Sequence, residues 1–268
     1  KSFLEIFQFS NFIRILQNMS KKKKIMFSII TVVLNNKKTI ERCIKSVLSQ
    51  KFKDLEYIVV DGGSNDGTWE IIEKYKKKGV DKIISKKDPN MWAAMNRGIK
   101  ISHGEIICML NSDDFFTANA LKIVAKYFKD NDLDYFFGAV KKRKVFYHFN
   151  PEFVDYKFNC YPSHSVSFFV KKSVQKKVGL YDSNLKFCAD YDFFYKLFKN
   201  KKYKYLNSKK TEIIGHFSGD GVSSKIGFFK TLYYETVVRI KNRQNLIYLT
   251  FLIILRILNK IRNKISIF

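Results

Sequence analysis

Along the first half of the chain, apolar runs of strand length alternate with stretches whose apolar residues recur at helical spacing. Residues 26–33 (MFSIITVV) are β-rich and apolar and predict a buried strand. Residues 37–50 place Ile40, Cys43, Ile44, Val47 and Leu48 on one face of an amphipathic helix. A second buried strand is predicted over 55–60 (LEYIVV), halted by the turn-forming cluster 61–68 (DGGSNDGT). Then follow a helix over 69–77, a short strand over 80–84, a helix over 92–101 and a strand over 105–110. A helix over 117–128 closes this half, with Leu121, Val124, Ala125 and Phe128 on one face.

Such βαβαβαβ alternation predicts an α/β fold with a parallel sheet and helices on both faces, whose ligands bind beyond the carboxyl ends of the strands. Topology alone brings Thr31 and Asn35, Asp61, and Asp113 and Asp114 to that edge from three separate strands. Past Tyr135 the pattern loosens. Strands are predicted over 135–140 and 165–170, an irregular aromatic stretch over 146–159, and a helix over 189–199 with Tyr191, Phe194, Tyr195 and Phe198 on one face. No linker rich in Gly, Pro or Ser and no internal repeat marks a second independent domain. The expected organisation is an extension (1–24), a main domain (25–225, halves 25–116 and 117–225) and a basic, apolar helical region (226–268).

Both ends are amphipathic. Residues 3–16 are apolar but interrupted by Glu5, Gln8, Asn11 and Arg14, too short and too polar to span a bilayer. They lack the basic leader and small-residue cleavage site of a signal peptide, and Met19, ahead of Lys21–Lys24, is a candidate start. Residues 245–255 carry no charge and lie between Arg239, Lys241 and Arg243 on one side and Arg256, Lys260, Arg262 and Lys264 on the other. The run is shorter than the roughly 20 apolar residues of a spanning helix, so its basic flanks favour a helix in the headgroup region of an anionic leaflet over a core helix.

Composition narrows the picture further. Hydrophobic residues at 46% and charged residues at 28% are ordinary for a globular chain with one sizeable core. Against 24 acids stand 50 lysines and arginines, a net charge of +26 that favours an anionic partner: a membrane surface, a nucleic acid or a phosphorylated substrate. Cys43, Cys108, Cys160 and Cys188 form no C-x-x-C pair and read as free thiols of a reducing compartment. The 4 histidines have no H-x-x-x-H spacing, which leaves a zinc hydrolase without support.

Two strand ends carry candidate chemistry. Asn111-Ser112-Asp113-Asp114 follows the apolar IICML run directly, and two adjacent carboxylates on a turn suit a hard divalent cation that also takes phosphate oxygens. The competing reading is a helix cap by Asp114 or Thr117. The 61–68 cluster has neither a Walker lysine nor G-x-G-x-x-G spacing, so it is neither a P-loop nor a dinucleotide fingerprint. Its acid at a strand end suits a base or ribose donor; its competing reading is a glycine-rich turn capped at Asp66 or Thr68.

In order and spacing, four segments resemble the nucleotide-binding half of family 2 glycosyltransferases: SIITVVLNNKKTIERCIKSVLSQ, IVVDGGSNDGT, WAAMNRGI and LNSDD. The resemblance implies a GT-A (Rossmann-like), mostly parallel sheet flanked by helices, here with a C-terminal helical and membrane-associated extension. It implies that Thr31, Val33, Asn35, Asp61 and Ser64 line the nucleotide pocket, with Asp61 facing the base. Asp88, Asn96 and Arg97 would lie near the donor's sugar and phosphates. Asn111 and Asp113 would face the donor, and Asp114, helped by Asp113, would hold a divalent metal, Mn2+ or Mg2+. Two positions depart from the family pattern. Asn111 stands for the first Asp of its D-x-D, and Ala93 for the Asp of its Y-D-A segment.

Further along, Tyr181-Asp182-Ser183-Asn184-Leu185 and Ala189-Asp190-Tyr191-Asp192 resemble the family's acceptor-side motifs, in which the acid matched by Asp190 is the catalytic base. The bare reading of Asp190 is a first-turn helix acid. His164, Asp192, His216 and Gly221, the last in the loop FSGDGVS, are weaker candidates for acceptor or loop contacts. The implied activity is inverting, metal-dependent hexosyl transfer from a nucleotide sugar, UDP-linked by expectation, to a glycan or lipid-linked acceptor in surface-polysaccharide assembly. The expected place is cytoplasmic, peripheral on the inner face of the plasma membrane. Two rival readings are a nucleotidyltransferase of similar fold and a basic nucleic-acid binder. The first lacks its glycine-rich basic loop after strand one, and the second lacks any helix-turn-helix, RNP or zinc-finger signature.

Overall fold

The computed structural model describes residues 25–158, 164–218 and 226–265. Its strands are β1 (Phe27–Val33), β2 (Leu55–Asp61), β3 (Lys82–Ser85), β4 (Ile106–Asn111), β5 (Phe115–Phe116), β6 (Tyr135–Phe137), β7 (Ala139–Lys141), β8 (Val145–Phe146), β9 (Phe168–Lys171), β10 (Tyr205–Asn207) and β11 (Ile213–His216). Its helices are α1 (Ile40–Leu48), α2 (Thr68–Glu73), α3 (Met91–Ile101), α4 (Ala120–Asp130), α5 (Lys172–Val178), α6 (Ala189–Lys199), α7 (Phe228–Lys241) and α8 (Leu246–Ile265).

One sheet runs β10-β6-β9-β4-β1-β2-β3, and a smaller one runs β5-β11-β7-β8. Strands β3, β2, β1 and β4 are parallel, as the βα alternation requires, while β9 enters antiparallel between β4 and β6. Strand order reverses at β1, so the crevice for a ligand opens between the ends of β1 and β4. Register sharpens this. Val33 pairs with Asp61 and Val32 with Asn111, so the three strands end level and their loops leave together.

The sheet is buried on both faces, which is why its strands read as continuous apolar runs. Ile30, Val32, Ile58 and Val60 pack beneath α3 and the aromatic face of α6. Ile29, Val33, Tyr57 and Val59, the alternate residues, pack against α1 and α4. On the first face, Gly98 of α3 lies so close to β1 that an added Cβ would sit 2.4 Å from Ile30 Cγ2.

Several boundaries differ from the sequence pattern. Residues 135–140 form two strands in two sheets, not one. Gly138 breaks them, and a Cβ there would lie 2.1 Å from Ile214. Residues 165–167 make a 3-10 turn before β9, and the helix expected over 69–77 ends at Glu73. The structure adds β5 at the end of the first half, and α5 and the short strands β8, β10 and β11 in the second, all too brief to show a period. The C-terminal stretch forms two helices, α7 and α8, and the α8 helix runs well past the uncharged run. Cys43 and Cys108 are buried free thiols, with burial pushing Cys43 up to about 12. Cys188 is free and half-buried; Cys160 and the 3–16 stretch lie outside the described residues.

At the opposite edge of the sheet, buried Glu56 accepts from Ser28 Oγ (2.5 Å), Lys82 Nζ (2.7 Å) and His103 N (2.7 Å). Burial pushes its carboxyl up, but Lys82, Ser28 and His103 together outweigh that and hold it at about 2. An acid depressed in this way stabilises the fold above its unfolded pKa, and that contribution fades as pH falls from about 4.5 towards 2. Glu56→Gln should therefore cost roughly 2–3 kcal/mol near neutrality and progressively less in acid. Denaturant melts across pH check this, and equal stabilities at pH 7 would refute it.

Candidate active site

The loops after β1, β2 and β4 are stitched to one another by side chains. Asn36 Nδ2 donates to Ser112 Oγ (2.8 Å), and Thr39 Oγ1 donates to the Ser112 carbonyl (2.8 Å). Arg42 donates to the Asp113 carbonyl (2.8 Å) while its guanidinium lies over Phe115. Asn35 adopts a φ of 50°, the left-handed region that Asn tolerates. There its amide N–H donates to Ser64 Oγ (2.8 Å), and its side-chain oxygen accepts from Asn65 N (2.9 Å). Asp66 caps the turn into α2, accepting from Thr68 Oγ1, Lys37 N and Thr68 N, and these bonds, the Thr68 hydroxyl foremost, hold its carboxyl below the usual range.

Two expected pocket residues face elsewhere. Thr31 is fully buried, and its hydroxyl meets Tyr57 OH (3.1 Å) and Cys43 Sγ (3.7 Å) on the α1 side. The pleat turns it away from the crevice. Asp61 is also fully buried, accepting from Gly63 N, Ser64 N, Ser64 Oγ and Ser85 Oγ. It organises the 62–64 turn and presents no free carboxylate. Val33, at the strand end, offers its carbonyl to Gly62 N (2.8 Å).

The turn after β4 gathers the acids. Asp114 N donates to the Asn111 carbonyl, closing a turn that buries Asp114 to 1% exposure. Asp114 Oδ1 accepts from Ser218 N (3.2 Å), and Asp113 Oδ2 accepts from Ser218 Oγ (2.5 Å). His164 Nδ1 stands 3.0 Å from Asp114 Oδ2, and its ring stacks on Phe217 with centroids 4.8 Å apart. Burial raises the Asp114 carboxyl, the His164 contact opposes this, and the neighbouring Asp113 charge adds to the rise. Asn111 Nδ2 donates to Ser165 Oγ (3.1 Å).

A second charged pair lies at the start of α3. Arg97 Nη2 contacts Asp88 Oδ1, and the Asp88 side chain is 5% exposed. Asn96, by contrast, bridges the Tyr181 backbone, donating to its carbonyl (2.7 Å) and accepting from its N–H (2.9 Å). This pair of bonds lets it position the 181–185 segment. Asn90 caps α3 and donates to the Ser183 carbonyl, and Trp92 Nε1 reaches the Lys186 carbonyl. The acceptor-side segment is thus hung from α3.

Asp190 lies in the first turn of α6, half-buried, with Oδ1 accepting from Tyr191 N (2.9 Å). Burial pushes its carboxyl above the usual range, against that hydrogen bond and the field of His164. Asp192, in contrast, is 1% exposed and bound by Lys196 (2.5 Å), Asn242 (2.8 Å) and Lys241 (3.5 Å). It ties α6 to α7 and is closed to an acceptor. His216 stacks on Phe115 at 4.8 Å, with burial, Lys141 and Arg42 lowering its pKa. Gly221 lies outside the described residues.

Three buried side-chain atoms among the described residues have no hydrogen-bond partner, Asp88 Oδ2, Arg97 Nη1 and Asn111 Oδ1, and a fourth, Asp114 Oδ2, has only the His164 imidazole at 3.0 Å. All four belong to residues singled out from the sequence. Orphaned buried polar groups are costly and mark places where something else completes the bonding. A divalent cation fits the Asp114 end: an under-bonded hard oxygen beside an imidazole nitrogen supplies part of a coordination shell, which diphosphate oxygens and water can fill. Among the described residues no cluster of three His, Cys, Asp or Glu forms a shell by itself. Sequence reasoning overlooked Ser218, Ser165 and Arg42. Ser218 stood in a quoted loop motif, but its pairing with acids 104 and 105 residues away left no local signal.

The family model for Glycosyl transferase family 2 matches residues 28–219. Over 222 residues the chain is 29% identical to the hyaluronan synthase of Pasteurella multocida, covering 79% of this chain but only 22% of that protein. The fold is similar to S. aureus TarS 1–349 in complex with UDP-GlcNAc, with a TM-score of 0.65 at 20% identity, covering 81% of this chain and 67% of that one. It is also similar to the mannosyltransferase PcManGT from Pyrobaculum calidifontis in complex with GDP-Man and Mn2+, with a TM-score of 0.60 at 15% identity over 88% and 72% of the two chains.

Arg97→Gln should leave Asp88 buried and unpaired, costing about 2–3 kcal/mol of stability. It should also weaken nucleoside-diphosphate affinity by roughly tenfold, since a charge-assisted donor is lost. Calorimetric titration with UDP and GDP, alongside melts, tests both effects; unchanged affinity for both would remove Arg97 from the donor site.

Proposed function

The chain belongs to glycosyl transferase family 2, and from that premise we propose an inverting transfer of a hexosyl group from a nucleoside-diphosphate sugar to a hydroxyl of a glycan or lipid-linked acceptor. The observation that supports this reading is that the under-bonded buried atoms fall on residues that the family resemblance singles out, Asp88, Arg97, Asn111 and Asp114, together with a half-buried acid of raised pKa, Asp190. Asp190 takes the proton from the acceptor hydroxyl. The freed oxygen bonds to the anomeric carbon as that carbon's bond to the diphosphate oxygen breaks, so configuration inverts and the nucleoside diphosphate leaves with the electron pair.

The remaining residues bind and orient. Arg97 Nη1 donates to the diphosphate, while Asp88 Oδ2 accepts from a donor-sugar hydroxyl. Asn35 and Ser64, in the loop shaped by Asp61 beyond the end of β1, form the wall against the base, and Asn111 and Asp113 face the ribose side. Asp114 and His164 would hold a divalent cation, Mn2+ or Mg2+, whose charge stabilises the departing diphosphate. UDP is favoured as carrier, since TarS, a structural neighbour, is in complex with UDP-GlcNAc; the other neighbour, PcManGT, is in complex with GDP-Man. Relatives named as a polysaccharide synthase support a surface-polysaccharide role, at the inner face of the plasma membrane if the acceptor is lipid-linked.

Asp190→Asn should reduce transfer by about 10²–10⁴-fold while nucleoside-diphosphate binding persists. Full activity in that variant would overturn the assignment. The variant should also melt no lower than the parent at neutral pH. A carboxyl with a raised folded pKa destabilises the fold above its unfolded pKa, and the amide removes that penalty. The same raised pKa places the acid limb of kcat/KM above the pH of an ordinary aspartate, where a pH–rate profile of the parent enzyme would find it.

A further inference from the structure

Helix α8 turns two unlike faces to its surroundings. Inward, Leu249 and Leu252 are buried against Leu232 of α7 and against Phe158. Outward, Ile247, Phe251, Ile254, Leu258 and Ile261 follow one another at steps of four, three, four and three residues, the spacing of a single helical stripe. All five are exposed by at least half: 84%, 54%, 50%, 55% and 50%. Helix α7 adds Phe229 and Tyr233, exposed 72% and 64%. Monomeric proteins seldom leave so continuous an apolar surface uncovered.

Charge decides what covers it. Residues 226–268 hold 8 lysines and arginines and one acid, Glu235. Arg239 is buried, Lys241 is bound to Asp182 and Asp192, and Arg256 to Glu235, while Lys230, Arg243 and Lys260 are exposed. A second copy of the helix would bring these exposed cations against one another with no exposed acid of the stretch to answer them, unlike the paired flanks of a coiled coil. An anionic lipid surface answers both features, taking the stripe among its acyl chains and the cations among its headgroups. No helix among the described residues is long and apolar enough to cross a bilayer, which leaves the interfacial plane.

We propose that the α7–α8 hairpin docks this protein on an anionic bilayer, with the outward stripe of α8 lying in the interface. The inner side of the hairpin grips the helix that bears Asp190. Buried Arg239 of α7 donates from Nε to Tyr191 OH (2.7 Å), and Asn242 and Lys241 hold Asp192. Docking therefore holds α6 at a fixed height over the lipid. The inference extends the lipid-linked acceptor reading but does not need it, since it concerns lipid binding and not sugar chemistry.

Vesicle flotation of the full chain tests it, with phosphatidylcholine alone and with about one-third phosphatidylglycerol. The full chain should float with the anionic vesicles and not with phosphatidylcholine alone. The double variant Ile254→Glu, Leu258→Glu alters only exposed positions. It should retain its circular dichroism and UDP binding but lose at least about tenfold in vesicle affinity. Failure to float with anionic vesicles, or flotation of the variant equal to the parent, overturns the proposal. So does equal flotation with phosphatidylcholine alone, or a stable dimer that the variant converts to monomer by sedimentation. Loss of transfer in Asp190→Asn with flotation intact would leave docking standing, and the reverse result would leave the catalytic reading standing.

Discussion

The level ending of β1, β2 and β4 is the constraint from which the crevice follows. Parallel strands that stop together release three polar loops into one small space, where each backbone and side-chain donor must find an acceptor. Here the loops satisfy one another: Asn36 and Thr39 on Ser112, Asn35 on Ser64 and Asn65, Arg42 on the Asp113 carbonyl. That mutual bonding fixes the acids without recourse to the apolar core. Buried atoms without a partner remain at Asn111, on the turn after β4, and at Asp88 and Arg97 in the α3 pair.

A second organising element lies below the acceptor side. Arg239 is a fully buried cation, and among the described residues no carboxylate sits on its guanidinium. Its donors go instead to Tyr191 OH, Gln244 Oε1 and the carbonyls of Val154 and Lys157, and its plane lies over the rings of Phe158, Tyr191 and Tyr195. Neutral oxygens and aromatic faces compensate desolvation of the delocalised guanidinium better than they would an ammonium. The result ties α6, α7 and the 151–157 turn into one unit.

Much of this was legible in the chain itself. The parallel sheet and the helices flanking it announced themselves through period and length, because each strand is buried on both faces. The Asn111–Asp114 turn, Asp88, Arg97 and Asp190 stood out through position and family likeness, and buried atoms of Asn111, Asp88 and Arg97 are left without a partner among the described residues. What escaped did so for stated reasons. Side-chain parity along β1 sends Thr31 towards α1, and no composition rule reveals which face a strand residue takes until register is known. Asp61, Asn96 and Asp192 are polar residues in family positions that the fold spends on its own loops and helices. Ser218 joins the acids across more than a hundred residues of chain.

The cage around Arg239 has a consequence for how the chain comes into being. Val154, Lys157 and Tyr191 precede Arg239 by 48 to 85 residues, and they receive its donors only once Arg239 has been synthesised and has closed upon them. The bonds that join the loops after β1, β2 and β4, by contrast, all lie within residues 25–130, and β9, His164, Ser165 and Ser218 are added to β4 and its turn from further along. Synthesis from the amino end would therefore set the donor crevice first and the helix of Asp190 last. A shortened chain ending before α7 would keep a crevice without a braced base opposite it.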